Sequence, residues 1–304
     1  MLAEQTPPQA VFLLGPTAVG KTELSIRLAG AINGEIISAD SRCLYRGMNI
    51  GTAKPSLLDR QQIPHHLIDV ADPNEVWSLG KFKQTALSIG MDIVRRGKTP
   101  IFVGGTGQYY RAIAQGWAVP QISPLPELRR VLTQWAGEIG ALELHKKLKL
   151  IDPDAAKVND PQNVRRTTRA LEVILSTGQK FSALRTTEEV AFDFFVIGLH
   201  RERQELFARA DLRIEQMLMD GLVEEVQRLR LAGYTDEMPS MSAIGYREIS
   251  SFLQGALTLD EAVTLMKRNT RSFIRRQSNW FKLTDPAIHW YAASPDPFEK
   301  IVAG

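Results

Sequence analysis

The feature that most constrains the fold of this 304-residue chain is an octapeptide near its start, Gly15-Pro16-Thr17-Ala18-Val19-Gly20-Lys21-Thr22. The pattern G-x-x-x-x-G-K-[ST] wraps backbone N–H groups around phosphates, and its lysine neutralises phosphate oxygens. An apolar run, "AVFLL", precedes the octapeptide, and a helical pattern over residues 22–31 follows it. This context predicts a phosphate-binding loop between a buried strand and a helix. The loop alone leaves open a nucleotide that is hydrolysed, a phosphoryl donor, or a diphosphate that leaves.

Two further apolar runs, "GEIISA" and "TPIFVGG", also end in polar residues, "SADSR" and "GGTGQ". Alternation of strands with helices predicts an α/β fold, with a P-loop-type parallel sheet core and helices on both faces. Ligands of such sheets bind at the carboxyl ends of the strands, where all three polar segments lie. Asp40 in "SADSR" could therefore cap a helix, hold Mg²⁺, or accept a proton.

The sequence changes character near residue 119. The segment "VPQISPLPELRR" is rich in proline, and residues 128–150 and 164–176 have helical patterns with no strand between them. The run "AFDFFVIGLH" then restores a strand, and most of the remainder has helical patterns. These observations predict a catalytic core formed by residues 1–120 and 191–304, which ends in a helical region, and a helical insertion domain at residues 121–190.

Composition excludes several classes of protein. The chain is 44% hydrophobic and 23% charged, and no apolar stretch is long enough to span a bilayer. Its first apolar run lacks a preceding basic segment, so it does not resemble a signal peptide. The single cysteine, Cys43, excludes an internal disulfide and a cysteine-cluster metal site. We therefore expect a cytoplasmic protein without a membrane partner.

One segment is strongly basic although the net charge of the chain is only +3. Residues 262–284 contain no acidic residue, and their basic residues are Lys267, Arg268, Arg271, Arg275, Arg276 and Lys282. Such a segment suits a polyanionic partner, although a solvated helix face would have the same composition.

Seven motifs occur in an order that resembles the tRNA dimethylallyltransferases, also called tRNA isopentenyltransferases. They are "GPTAVGKT", "ISADSRCLYRGMNIGTAKP", "PHHLIDV" followed by "DP", "FVGGTGQYYRA", "NDPQNVRRTTRALEV", "IGYREI" and "TRSFIRRQSNWFK". The resemblance extends over about residues 10–290. It implies transfer of a dimethylallyl group from dimethylallyl diphosphate to N6 of the adenosine 3′ of the anticodon, mainly in tRNAs that read codons beginning with U.

The resemblance also assigns roles to residues. It implies that residues 15–22 hold the diphosphate, with Lys21, Thr22 and Arg213 stabilising the leaving group, and Arg209 is the alternative to Arg213. The hydroxyl of Thr22 would bind Mg²⁺, and Asp40 would accept the proton of the adenine amine. The protein is expected to act as a monomer.

The adenine must leave the anticodon loop to react, and the insertion domain is expected to grip the tRNA. Arg165 and Arg169 would share one helix face there, which suits adjacent phosphates. The residues that the resemblance places on the tRNA are Asp40, Ser41, Arg42, Cys43, Thr106, Arg129, Arg165, Arg166, Arg169, Ser242, Gly245, Tyr246, Arg247, Arg271, Arg275, Arg276 and Gln277.

This chain departs from the family pattern at two positions. Cys43 stands where the family commonly has glutamine, and Gln108 stands where an aliphatic residue is common. A thiol is a weak hydrogen-bond donor, so Cys43 cannot replace the amide. His65 and His66 match the family, but a turn or packing role is favoured over catalysis.

Two other functions are compatible with parts of the sequence. The chain could prenylate free adenine nucleotides, although such an acceptor needs neither the insertion domain nor the basic segment. It could also be a P-loop kinase of a small metabolite or an RNA-binding ATPase, which would require turnover of ATP and gives no reason for "GTAKP" or "RRQSNWFK".

Overall fold

The computed structural model describes residues 6–119 and 125–303, and the chain divides into two compact units. The larger unit comprises Met1–Ala114 and Val190–Gly304, and the smaller unit comprises Gln115–Glu189. The sequence predicts an insertion domain at residues 121–190, and the first of these two boundaries lies outside the described residues.

Six strands form a single sheet in the described part of the larger unit, and all of its pairs are parallel. They are β1 (Gln9–Leu14), β2 (Gly34–Ser38), β3 (His65–His66), β4 (Thr99–Gly104), β5 (Asp193–His200) and β6 (His289–Ala292). The order β3-β2-β4-β1-β5-β6 makes β2, β4 and β1 consecutive. The three polar segments that follow these strands therefore meet at one edge of the sheet.

Thirteen helices are found among the described residues. They are α1 (Lys21–Ala31), α2 (Leu57–Gln62), α3 (Leu79–Arg95), α4 (Gly107–Ala114), α5 (Pro126–Ile139), α6 (Ala141–Ile151), α7 (Pro153–Val158), α8 (Val164–Thr177), α9 (Arg203–Met219), α10 (Leu222–Leu231), α11 (Tyr246–Leu253), α12 (Leu259–Trp280) and α13 (Phe298–Val302).

Both faces of the sheet are covered by helices, because alternate side chains of β1 enter different hydrophobic clusters. Phe12 packs in a cluster that includes Phe82 of α3, whereas Leu13 packs in a second cluster with Leu24 of α1 and Leu206 of α9. The α/β fold with helices on both faces is therefore confirmed.

The smaller unit has a core of its own, to which α5, α6, α7 and α8 contribute. Leu144 and Leu148 of α6 are fully buried in it. The helical pattern of residues 128–150 is confirmed, and it forms two helices because Gly140 separates α5 from α6. That glycine has φ +85° and ψ 157°, a conformation that interrupts a helix and that a residue with a side chain rarely adopts.

The sequence pattern also misses two short strands. β3 has two residues and β6 has four, and they are the two outermost strands of the sheet. Strands this short carry too few residues to show an alternating pattern. In the described residues, no helix combines the length and the apolar character needed to cross a membrane.

Candidate functional site

The phosphate-binding loop lies between β1 and α1, and cationic side chains cover its carbonyl oxygens. The ammonium of Lys21 donates to the carbonyl oxygens of Gly15 and Pro16, at 3.0 and 2.9 Å. Arg209 Nε donates to the oxygen of Ala18 at 2.8 Å, and Arg201 Nε donates to that of Val19 at 3.0 Å. Carbonyl oxygens repel anions, so pairing them with cations makes this helix start suited to an anionic ligand.

A bound anion would stabilise the charged form of Lys21. Burial lowers the pKa of its ammonium to about 8, nearby Asp40 opposes this shift, and the charge of Arg213 adds to it. Desolvated positive charges of this kind are stabilised by an anionic ligand, because such a ligand restores the electrostatic interactions that water provides outside the protein. The loop therefore has the charge and the shape of a phosphate site.

The structure distinguishes the two candidate arginines of α9. Arg213 is half-buried, and its pKa is lowered first by burial and then by the charge of Arg209. Arg209 already donates its Nε to the loop carbonyl of Ala18. Arg213 is therefore the better placed of the two to bind a diphosphate beside Lys21, and Arg209 supports the loop from outside.

Arg213 also lines a cleft of about 390 Å³ in the larger unit. The other residues of its lining are Asn49, Ile50, Ala53, Lys54, Pro55, Ser56, Leu57, Arg60, Gln216, Met217 and Asp220. The cleft therefore combines apolar side chains with cationic groups, and so it could receive a ligand that has both an apolar and an anionic part.

Asp40 stands two residues beyond the end of β2, where the phosphate loop and the "GGTGQ" segment also lie. Its Oδ1 accepts the backbone N–H of Arg42 at 2.8 Å, which orients the carboxylate. Its charge acts on the pKa of Lys21 and, after the larger effect of burial, raises the pKa of Tyr109. A carboxylate, an ammonium and a guanidinium therefore share one site.

A loop that follows α10 contributes to the same region. Arg42 Nη1 donates to the carbonyl oxygen of Pro239 at 2.7 Å, and its Nη2 donates to Ser242 Oγ at 3.3 Å. Two residues that the sequence places on the tRNA, Arg42 and Ser242, therefore lie together. Their neighbour Cys43 is buried, and burial raises the pKa of its thiol, so it remains a thiol rather than a nucleophilic thiolate.

Three other residues from that set are buried, and their contact with tRNA stays a prediction. Gly245 is the N-cap residue of α11, and the fully buried Tyr246 donates its hydroxyl to Glu225 Oε1 at 2.6 Å. Gln277 is 3% exposed and bonds to two loops of the site. The sequence motifs containing these residues also serve internal packing.

The remaining members of the set differ in their exposure. Ser41 and Thr106 are half-buried, and the carbonyl oxygen of Thr106 accepts the N–H of Tyr109 at 3.0 Å at the start of α4. Arg271 is exposed and paired with Asp211. The exposed members on α8, α11 and α12 also include Arg165, Arg166, Arg247, Arg275 and Arg276.

In the smaller unit, Arg129 and Arg169 both bind the buried carboxylate of Glu172, each at 2.8 Å. Burial would raise the pKa of Glu172, but the hydrogen bonds from the two arginines outweigh it and hold the pKa below its usual value. No sequence signal indicates this ion cluster, because Glu172 falls within an ordinary amphipathic helix pattern. Both arginines therefore have a structural partner in addition to any ligand.

The part of the chain that the structure describes has no candidate site at which side chains alone would bind a metal ion. Those residues hold no group of three or more histidine, cysteine, aspartate or glutamate side chains arranged to bind one. Mg²⁺ commonly uses one or two protein oxygens, with substrate phosphates and water as its other ligands. Thr22 is exposed in the first turn of α1, and its hydroxyl fits the role of one such oxygen.

Comparison with known proteins gives consistent matches. The family model described as IPP transferase matches residues 43–284. A tRNA dimethylallyltransferase of Roseiflexus sp. (strain RS-1) is 47% identical over 272 residues, which are 90% of this chain and 89% of that protein. The crystal structure of tRNA isopentenylpyrophosphate transferase from Bacillus halodurans has a TM-score of 0.72 and 38% identity, and the alignment covers 98% of this chain and 94% of that one.

A eukaryotic dimethylallyltransferase acting on tRNA has also been captured in crystals. It has a TM-score of 0.76 and 29% sequence identity to this chain, and the alignment covers 95% of this chain and 74% of that one. The similarity therefore extends over nearly the whole chain, in both sequence and fold.

Proposed function

The chain belongs to the IPP transferase family, and from this premise we propose that it is a tRNA dimethylallyltransferase. It transfers the dimethylallyl group of dimethylallyl diphosphate to N6 of the adenosine 3′ of the anticodon in tRNA. The observation that carries the proposal is that the phosphate-binding loop with Lys21 and the carboxylate of Asp40 both follow strands of one parallel sheet, and that Arg213 of α9 is close enough for its charge to act on the pKa of Lys21. Such a site can stabilise a departing diphosphate and accept a proton beside it.

The first half of the reaction is cleavage of the allylic carbon–oxygen bond. Negative charge develops on the diphosphate as the bond breaks, and preorganised cations stabilise that charge. Lys21 and Arg213 supply two of them, and the N–H groups at the start of α1 supply further donors. Mg²⁺ bound through Thr22 would add a Lewis acid that neutralises phosphate oxygens.

The second half is attack by the adenine amine on the allylic carbon. The N6–carbon bond forms at the carbon that the diphosphate has left, and one N6 proton must leave. The carboxylate of Asp40 accepts this proton, and the N–H of Arg42 holds the carboxylate in position. The adenine reaches Asp40 only after it has left the base stack of the anticodon loop.

The acceptor is a tRNA rather than a free nucleotide. The dimethylallyltransferases that this chain resembles act on tRNA, and α12 carries exposed arginines that a free nucleotide does not require. The anticodon stem-loop is the part of tRNA that presents the adenosine, and a monomer with Mg²⁺ is sufficient for the chemistry described. A kinase function gives no reason for the segments "GTAKP" and "RRQSNWFK".

Transfer to two acceptors tests this function. Purified protein is incubated with labelled dimethylallyl diphosphate, Mg²⁺, and either unmodified tRNA or AMP, and the nucleosides are analysed by mass spectrometry. We expect a five-carbon group on adenosine from the tRNA and none on AMP. Modification of AMP alone would favour the adenylate prenyltransferase function, and release of ADP from ATP without any prenylation would favour a kinase or an ATPase.

A further inference from the structure

Gln277 connects two loops of the proposed site from inside the protein. Its Oε1 accepts the backbone N–H of Thr17 in the phosphate-binding loop at 2.9 Å. Its Nε2 donates to the carbonyl oxygen of Gly105, which follows β4, also at 2.9 Å. Gln277 is 3% exposed, so its amide is shielded from water, and the bond to Gly105 is fully buried. Both ends of one amide are therefore used to hold backbone groups of separate segments.

The chemistry of the two partners requires an amide at this position. An N–H and a carbonyl oxygen need one acceptor and one donor, and among side chains of this length that are uncharged at neutral pH only glutamine supplies both. A carboxylate would place an oxygen against the oxygen of Gly105, and an apolar side chain would leave two buried backbone groups without partners.

Gly105 packs closely against both the amide of Gln277 and the phosphate-binding loop. A Cβ atom at Gly105 would lie 2.4 Å from Gln277 Nε2 and 3.0 Å from the carbonyl oxygen of Gly15. The absence of a side chain there lets the amide and the phosphate-binding loop approach the backbone of Gly105. The same Gly15 oxygen accepts a hydrogen bond from Lys21. The amide thus acts on the half of the loop whose carbonyl oxygens position the ammonium.

We propose that Gln277 is a positioning residue for the diphosphate rather than a contact of the tRNA. It holds the first half of the phosphate-binding loop against the segment after β4 and so keeps Lys21 and the loop N–H groups in the arrangement that receives the diphosphate. This inference rests on the proposed function. The buried face of α12 then positions the phosphate-binding loop through Gln277. Its exposed face, which carries Arg275 and Arg276, is free to bind tRNA.

Binding measurements on two variants test this role. In Gln277→Met the side chain keeps its length but forms neither hydrogen bond. We expect the Kd for inorganic pyrophosphate and the KM for dimethylallyl diphosphate to rise about ten-fold. The Kd for unmodified tRNA should stay within about two-fold of the wild-type value, and kcat should change less than KM, since the residue touches neither substrate.

Gln277→Glu is a second variant, which tests the same role if Gln277→Met does not fold. Its carboxylate keeps the acceptor for Thr17 but has no donor for Gly105. A protonated glutamic acid regains that donor, so its pyrophosphate affinity relative to wild type should recover as the pH is lowered. Arg276→Gln on the same helix is the matched control, and it should weaken tRNA binding while leaving pyrophosphate binding unchanged.

The outcomes separate this inference from the proposed function. If the Gln277 variants bind pyrophosphate as wild type does but bind tRNA more weakly, Gln277 is an RNA contact and the inference is wrong. Wild-type affinity for both ligands in both Gln277 variants would also overturn it. If the wild-type protein itself does not bind pyrophosphate, the proposed function fails instead.

Discussion

At the scale of single residues, the site depends on how the phosphate-binding loop places its charges. Lys21, Arg201 and Arg209 donate hydrogen bonds to carbonyl oxygens of the loop. Among the described residues, the buried ammonium of Lys21 has no carboxylate as a hydrogen-bond partner. Burial lowers its pKa from the ordinary value of 10.5 to about 8. The loop is therefore electrostatically incomplete without an anion.

This pKa has a consequence for binding. The ammonium is charged below about pH 8 and neutral above it, so diphosphate affinity should fall as the pH rises through that value. Isothermal calorimetry with inorganic pyrophosphate between about pH 6.5 and 9.5 measures the effect. Lys21→Met should bind about 10- to 100-fold more weakly at about pH 7.

The methionine variant also corrects for titration of pyrophosphate itself, because that titration is common to both proteins. We expect the affinity ratio of wild type to variant to decrease above about pH 8. A ratio that stays constant and above one across the whole range would mean that the ammonium of Lys21 does not titrate near pH 8, and a ratio of one would mean that its charge does not contribute to binding.

At the scale of elements, the sequence predicts best what depends on local patterns. The strand before residue 15, the helix after it and the strands that end near Asp40 and Gly105 all have strong apolar patterns, and the structure has β1, α1, β2 and β4 at these places. Parallel pairing then brings their polar ends together. The phosphate-binding loop and Asp40 could therefore be predicted to share one edge of the sheet.

Contacts between distant segments could not be predicted from the sequence. The amide of Gln277 and the hydroxyl of Tyr246 lie in motifs that resemble RNA-binding segments, yet both side chains bond inside the protein. The buried carboxylate of Glu225 accepts N–H groups from residues 49–51, about 175 residues away in the chain. No local pattern reports such partners, because they depend on the tertiary fold.

The basic helix α12 carries a prediction about salt. Arg275 and Arg276 are exposed, so they can displace counterions from tRNA when it binds. In the double charge reversal Arg275→Glu and Arg276→Glu, we expect weaker tRNA binding and a flatter plot of log K against log salt concentration. The slope should decrease by about 0.7 to 0.9 for each phosphate that the variant no longer neutralises.

Filter binding between about 50 and 300 mM KCl measures that slope. Arg95→Glu, an exposed position at the end of α3, is a control that reverses a similar surface charge elsewhere. A slope in the double variant equal to that of wild type would mean that this face of α12 does not contact RNA.

At the scale of the whole molecule, the chain combines two units with separate cores. The larger unit contains the sheet, the phosphate-binding loop and Asp40, whereas the smaller unit is helical and contains the Glu172 ion cluster. All the groups proposed to act on the reacting atoms belong to the larger unit. One edge of one sheet accordingly provides both the proposed diphosphate site and the proposed proton acceptor.

Single-turnover transfer by Asp40→Asn tests that claim most directly. Asparagine keeps the shape of the side chain and an oxygen for the N–H of Arg42, but it cannot accept the proton. With both substrates saturating, we expect the rate of dimethylallyl transfer to tRNA to fall at least about 100-fold, while the Kd values for pyrophosphate and tRNA stay within a few-fold of wild type. A transfer rate close to that of wild type would contradict the account, because the proton would then leave by another route.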